Sequence, residues 1–385
     1  MKVDILKIET HTDAWETYRW LREEDPVYWD ETNELWVISR YDDVVAISRD
    51  PETWTSEEGN RAKLGKDASF IHMDGPEHLK RRGLIQKQFT KGACEHMEHG
   101  MRAMVRSLLQ PALERGQAEF VEEIAAPFPL RVINRMLGNP PEMDAKLNYW
   151  LDVFTHGGNG PDYVTEEVQE TYLDFAGYHY DLTEERMEEP KEDLISLWLN
   201  AKIDGVPLDD EQVLFEHTMV LVGGSESTRN VMSGGLYQLI THPEQWDWLK
   251  AHPEDIPNAV EEMTRWVSPF VSMSRTVTRD VEFGGKQMKE GQELVMLYPA
   301  ANRDPRAFDD PDTFNVRREF PKKPLAFGYG RHHCLGANLA RLEIRIILEE
   351  VIAACSKVEL AGEPTWRVSS FIRGPKTMPV RFIPA

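Results

Sequence analysis

The segment Phe327-Gly328-Tyr329-Gly330-Arg331-His332-His333-Cys334-Leu335-Gly336-Ala337-Asn338-Leu339-Ala340-Arg341-Leu342-Glu343 constrains this chain more than any other. Glycines at 328, 330 and 336 bracket Cys334, so the backbone can turn tightly and a flat ligand can approach without β-carbons in the way. The residues after Gly336 predict an apolar, regular helix. The Cys334 sulfur then sits at a helix N-terminus, where N–H groups and the dipole favour a thiolate. The residues alone leave two other readings open. One is a buried cysteine in a loop-to-helix turn. The other is zinc on His332, His333 and Cys334, although adjacent residues rarely converge on one metal and no partner pair at zinc spacing occurs elsewhere. A second cluster, Cys94, His96 and His99, reads as a solvated helix face.

Composition narrows the class. Three cysteines in 385 residues are too few and too odd for a disulfide framework and point to a reducing compartment. A net charge of −22 excludes phosphate-rich nucleic acid as a partner. The N-terminus turns acidic at once, with no apolar signal core. The longest apolar run, around Met219 to Val222, is too short to span a bilayer. These features predict a cytoplasmic, soluble protein with no membrane anchor.

Helical signals dominate. His242-Pro243-Glu244 and His252-Pro253-Glu254 place Pro and Glu where helices begin. Leu208-Asp209-Asp210 with Gln212 reads as an N-cap and capping box opening a helix that is apolar on most faces from Val213 to about Met232. Inside it lie Gly223 and Gly224, then polar Ser225, Glu226 and Ser227. Leu35 to Ser39 followed by Arg40-Tyr41-Asp42 predicts a strand and a turn. Val277 to Phe283 predicts a hairpin arm, and Glu293 to Leu297 and Val380 to Ile383 predict strands. No strand–helix alternation with a phosphate-binding glycine loop appears.

The cysteine segment resembles the haem-binding signature of the cytochromes P450, and three further motifs extend the likeness over nearly the whole chain. Leu221-Val222-Gly223-Gly224-Ser225-Glu226-Ser227-Thr228 is similar to the family's oxygen-activating helix, whose glycine pair permits a local widening. Glu226 matches the acid of an acid–alcohol pair. Ser227, where threonine is usual, keeps the hydroxyl that relays protons, with Thr228 beside it. Glu262-Met263-Thr264-Arg265 resembles the structural Glu–Arg pair, with Arg317 or Arg318 as third partner. His72-Met73-Asp74-Gly75-Pro76-Glu77-His78-Leu79-Lys80-Arg81-Arg82 is similar to the D-P-P-E-H-x-x-x-R segment of bacterial members, with Gly75 replacing the first proline.

The resemblance implies a mainly α fold with small β-sheets, a single domain over 1–385, and a haem b between the long central helix and the Cys334 loop. It makes Cys334 the axial thiolate ligand of the iron. It makes His78, Arg82, Arg275 and His332 propionate contacts, and Phe327, Gly328, Gly336, Ala340 and Gly223 further haem contacts. The pocket wall would come from Phe70 and Ile71, from Met219 and Val220, from Val267, Phe270, Val271 and Met273, and from Phe371 and Ile372. The stretch from Trp150 to Tyr180 would form a mobile lid. Apolar walls imply a large apolar substrate.

No flavin or nicotinamide motif is present. The implied partners are therefore O2, an iron–sulfur ferredoxin and its NAD(P)H-dependent reductase, with Lys80, Arg81, Lys87, Lys91, Arg331, Arg341 and Arg345 as a basic docking patch. Leu-Val-Gly-Gly, Ser233-Gly234-Gly235, Gln245-Trp246-Asp247, Arg265-Trp266, Met273-Ser274-Arg275 and Thr377-Met378-Pro379-Val380 resemble the actinobacterial branch that oxidises steroid side chains. Tailoring of a polyketide, terpene or peptide product is the enzymatic rival, and a non-oxygenating haem-thiolate sensor is the rival from another class.

Overall fold

The structure, a computed structural model, describes residues 1–385. Thirteen helices carry the chain. The first five are α1 (Trp15–Glu24), α2 (Tyr41–Arg49), α3 (Gly75–Gly83), α4 (Lys91–Arg115) and α5 (Pro127–Leu137). Next come α6 (Asp144–Gly157), α7 (Glu166–Glu188), α8 (Leu194–Asn200), α9 (Asp210–Thr241) and α10 (Pro243–Ala251). The last are α11 (Ile256–Val267), α12 (Tyr298–Ala301) and α13 (Ala337–Ala354). No helix is long and apolar enough to cross a membrane.

The central helix forms as its sequence predicts. Asp209 accepts from the Gln212 N–H at 2.8 Å while the Gln212 side chain accepts from the Asp209 N–H at 3.1 Å, closing the capping box. Helix α9 is buried on most sides, against α5, α11 and α13 in the main core. Its glycines set those distances. A β-carbon on Gly235 would overlap Met263 and one on Gly234 would lie 2.8 Å from Val267, so both admit α11. One on Gly224 would lie 2.8 Å from Ile133 of α5. Helix α9 runs unbroken through Gly223–Gly224, and Ser227 Oγ ties back to the Gly223 carbonyl at 3.2 Å.

The main sheet has five strands. Val27–Asp30 and Glu293–Leu297 flank Leu35–Ile38, and Ser272–Val277 and Trp54–Thr55 follow. The predicted strands at Leu35, Glu293 and Val380 are present. Two local readings are corrected. Residues 40–42 open helix α2 and do not form a turn; Tyr41, Val44, Val45 and Ile47 bury one face, and Asp42 and Asp43 suit its first turn. The arm at 277–283 breaks into Ser272–Val277 and Val281–Phe283, because Thr278 leaves the sheet and bonds the backbone at 52–53.

The Glu–Arg motif of α11 is fully buried. Glu262 accepts from Arg265 at 2.7 and 2.8 Å and from Arg318 Nε at 3.0 Å. Arg318 is thus the third partner. Arg317 instead lies over the Trp248 ring. Both guanidiniums also donate to backbone carbonyls between 302 and 313, so the buried charges are paired and saturated.

Candidate active site

The cysteine loop is held by its own backbone. The Cys334 N–H donates to the Phe327 carbonyl at 2.7 Å. Gly328 and Gly330 adopt φ of +68° and +70°, and a β-carbon on Gly330 would lie 2.2 Å from the Ser48 carbonyl oxygen. Helix α13 starts after Gly336, as predicted, and Arg341 of its second turn lies over the Phe327 ring at 4.2 Å. Burial pushes the Cys334 thiol up, while the Gly336 N–H, Arg82 and Arg341 pull toward the thiolate.

Beside the loop the structure gathers the four groups assigned to carboxylate contacts. His78 of α3 is fully buried, both of its ring nitrogens lack partners, and burial lowers its pKa to about 4. His332 stacks on it at 4.3 Å, and its Nε2 lies 2.9 Å from Asp74 Oδ1. Arg82 donates to the His333 carbonyl at 2.7 Å. Arg275 is buried and donates to the Ser274 carbonyl at 2.6 Å, with no carboxylate in salt-bridge range. Buried guanidinium and imidazole groups need acceptors. Two carboxylates held over a glycine-lined cysteine loop satisfy that need, so these residues fit a haem and its propionates. No group of three or more His, Cys, Asp or Glu is placed to hold a bare metal ion, and Cys94 is buried in the main core and not on a solvated helix face.

On α9 the polar insert divides by face. Gly223 is exposed within an otherwise buried helix, and a β-carbon there would meet open space. Ser227, one turn on, shares that face and is half-buried. Thr228 lies one turn beyond Gly224, on the side packed against α5, and is buried. Thr228 is therefore separated from Ser227 and leaves the catalytic set. Glu226 is buried and ion-paired with Arg229, which also bonds Asp152 of α6 at 3.0 Å; Arg367 bonds the same Asp152 oxygen at 2.9 Å. A cavity of about 910 Å³ opens beside this cluster, lined by Asp152, Arg229, Arg367, His156 and Asn159. None of the haem-contact residues lines it.

The candidate walls come together in part. Phe270 bridges Ile372, the Val271 N–H donates to the Phe371 carbonyl at 2.9 Å, and the Phe270 and Phe371 rings lie 5.3 Å apart. Phe70 lies beside His78, and its N–H donates to Glu216 at 3.0 Å. Ile71, Met219 and Met273 are partly buried, and Val220 and Val267 belong to the main core. Val271 has no exposed surface and packs with Val3, Tyr18 and Leu297 in a separate N-terminal core, so it is a core residue and not a wall. The glycine-rich loop after α6 is tied down: Asn159 Oδ1 accepts from Ser369 Oγ at 2.6 Å and from the Ser370 N–H at 2.9 Å.

Sequence reasoning missed Asp74 as the partner of His332, Asp152 and Arg367 around Glu226, and the buried Arg81–Glu216 pair at 3.6 Å. Arg81 consequently drops out of the basic patch. Each pairing joins residues far apart in the chain, and no local pattern marks them.

A family model described as Cytochrome P450 matches residues 256–372. A Steroid C26-monooxygenase from Mycolicibacterium smegmatis is 36% identical over 376 residues, covering 97% of this chain and 93% of that protein. The crystal structure of CYP109E1 from Bacillus megaterium in complex with testosterone superposes with a TM-score of 0.89 at 31% identity, covering 98% of this chain and 99% of the other. A mutant of P450 EryK in complex with erythromycin B gives 0.90 at 29% identity, covering 98% and 97%. With a relative 36% identical over nearly the whole of both chains, the chain belongs to the cytochrome P450 family, the haem-thiolate monooxygenases.

Proposed function

We propose that this protein hydroxylates a large apolar substrate of the steroid or terpenoid class, with Cys334 as axial ligand and His78, Arg82, Arg275 and His332 on the propionates. The observation that carries the site assignment is the buried, unpartnered His78 stacked on His332, with a buried Arg275 near His332 that has no acid. The bound haem supplies dioxygen activation and transfer of one oxygen atom. The chain supplies the rest. Glycine faces admit the ring, Ser227 presents a hydroxyl on the open side of α9, and Glu226 stands behind it as the proton reservoir reached from outside through Asp152, Arg229 and Arg367. The substrate class follows the Steroid C26-monooxygenase relatives and the apolar wall residues Phe70, Met219, Phe270 and Phe371. Three free cysteines fit a cytoplasmic setting.

Electrons reach the haem from a ferredoxin in this reading, across the face bearing exposed Arg331. Tailoring of a macrolide-like product is the second reading, favoured by the EryK similarity. The deciding experiment is a spectral titration of the ferric protein with sterols, terpenes and macrolides, followed by product analysis. Sterol or terpene binding with a hydroxylated product supports the proposal, and turnover of macrolides alone replaces it. Cys334→Ala loses the thiolate-type spectrum of the carbonyl complex; its retention would overturn the ligand assignment.

A further inference from the structure

Most buried arginines in this chain are matched with acids, although Arg22 and the half-buried Arg373 donate only to backbone carbonyls. Arg265 and Arg318 share Glu262, Arg229 has Glu226 and Asp152, and Arg186 has Asp193. Arg275 lacks one, and the propionates of the proposed haem supply it. Arg61 also lacks one, and nothing in the haem site accounts for that.

Arg61 sits in the loop that leads to Phe70. Its Nε and Nη2 donate to the Gly158 carbonyl at 3.2 and 2.9 Å, and Nη1 donates to the Ser272 carbonyl at 2.7 Å. The guanidinium lies over the Phe371 ring at 4.2 Å. These three contacts belong to the loop after α6, the strand Ser272–Val277 and the turn at 371, which are the segments assigned to the lid and two walls of the pocket. Burial lowers the Arg61 pKa to about 9, with no acid nearby to restore it. The three donations leave one N–H on each terminal nitrogen, out of the five that a guanidinium carries. A half-buried cation with neutral partners and two spare donors is an anion receptor.

We infer that Arg61 is a specificity-determining residue at the pocket mouth, and that the preferred substrate is an apolar skeleton bearing one carboxylate at the end remote from the oxidised carbon. This rests on the reading of the Cys334 cleft as the monooxygenase site. The planar fork of Arg61 matches a carboxylate in two-point contact. The aromatic face of Phe371 beneath it receives the adjoining apolar carbon.

The test uses the haem-loaded full chain and matched probes: 5β-cholanic acid, abietic acid and palmitic acid, each against its methyl ester, with dehydroepiandrosterone sulfate as a further anion. Binding is read from the Soret shift. The expected result is that at least one acid binds about tenfold to a hundredfold more tightly than its ester. Arg61→Gln removes that preference while leaving ester affinity in place, and Arg61→Lys retains part of it. Equal binding of acid and ester on every skeleton, no shift with any probe, or equal weakening of both by Arg61→Gln overturns the proposal. Tighter binding of the sulfate than of every acid overturns the carboxylate assignment. The carbonyl spectrum is recorded on the same samples, so loss of the thiolate signature marks failure of the haem reading instead.

Discussion

Arg229 holds the carboxylate of Glu226 from one turn further along the same helix, and Asp152 of α6 shares that arginine. The acid behind Ser227 is therefore buried, paired and linked to α6. Arg229 and Asp152 line a cavity that leads outside, a route by which protons can reach it. Glu226→Gln keeps the size and the Arg229 contact but cannot relay a proton. The expected outcome is a fall in turnover of about a hundredfold or more, with the Soret band and substrate affinity unchanged. Steady-state oxygen consumption and spectral titration on the same preparation check it.

Ser227 Oγ bonds the Gly223 carbonyl at 3.2 Å on the open face of α9. A serine hydroxyl rotates away from that bond more freely than a threonine, whose methyl restrains χ1. Ser227→Thr should raise product formed per oxygen consumed, and Ser227→Ala should lower it while oxygen uptake continues. Thr228→Val, on the face packed against α5, should leave that ratio unchanged. Product and peroxide measured against oxygen uptake decide all three.

The parts of the site written in adjacent residues were legible, and those made by distant pairing were not. Gly328, Gly330, Cys334 and Gly336 lie in one loop, and Gly223 to Ser227 in two helical turns, so their spacing is readable along the chain and the resemblance to the P450 signature supplies their roles. Arg317 and Arg318 are neighbours on an irregular segment, where no period decides which turns inward; only the carbonyls at 309, 310 and 313 and Glu262 select Arg318. Arg61 meets Gly158 and Ser272 across long chain separations, and its loop has no periodicity to read. Helix α2 was legible in principle, since Tyr41, Val44 and Val45 follow a helical stripe, but its acidic start resembles a turn.

The basic face near the cysteine loop is smaller than its residue count implies. Arg341 is paired with Glu261, Arg345 with Glu98 and Glu349, Lys80 with Asp204 and Glu77, and Lys91 with Glu95. Arg331 is exposed and has no acid within salt-bridge range. Rim charges act mainly on association rate and its salt dependence. Arg331→Glu should slow ferredoxin-driven reduction severalfold at low salt, with the effect shrinking as salt rises. Stopped-flow reduction of the ferric protein by a ferredoxin measures it, and an unchanged rate would remove Arg331 from the docking face.

His179 and His217 face each other Nδ1 to Nδ1 at 2.9 Å inside the α7–α9 contact, and both are fully buried. One ring must donate and the other accept, and burial favours the neutral form of both. Burial lowers His179 to about 4, lowers His217 well below its ordinary value, and lowers His11, buried against Tyr18, to about 4. In the unfolded chain these imidazoles titrate near 6.5. Between those values the unfolded state binds more protons, so stability falls as pH drops from about 6.5 toward 4. The loss approaches about 3 kcal/mol each for His179 and His11 at the acid end of that window. Denaturant midpoints measured from pH 8 to 5 should be flat above 7 and decline below 6.5.

Glu262 carries two arginines in the core, so removing either leaves buried charge uncompensated. Arg318→Ala strips Glu262 of one donor and leaves the carbonyls at 309, 310 and 313 without their partner. Breaking a buried pair from one side costs about 3–5 kcal/mol. Arg317→Ala loses only the contact over Trp248 and a rim charge, which is worth about 0.5–1 kcal/mol. The two neighbours should therefore differ in chemical denaturation by several times the smaller effect. The Arg318 variant should also lose haem more readily, because the α11 scaffold that Glu262 braces packs against both α9 and α13. Equal costs at the two positions would mean that Glu262 does not depend on Arg318.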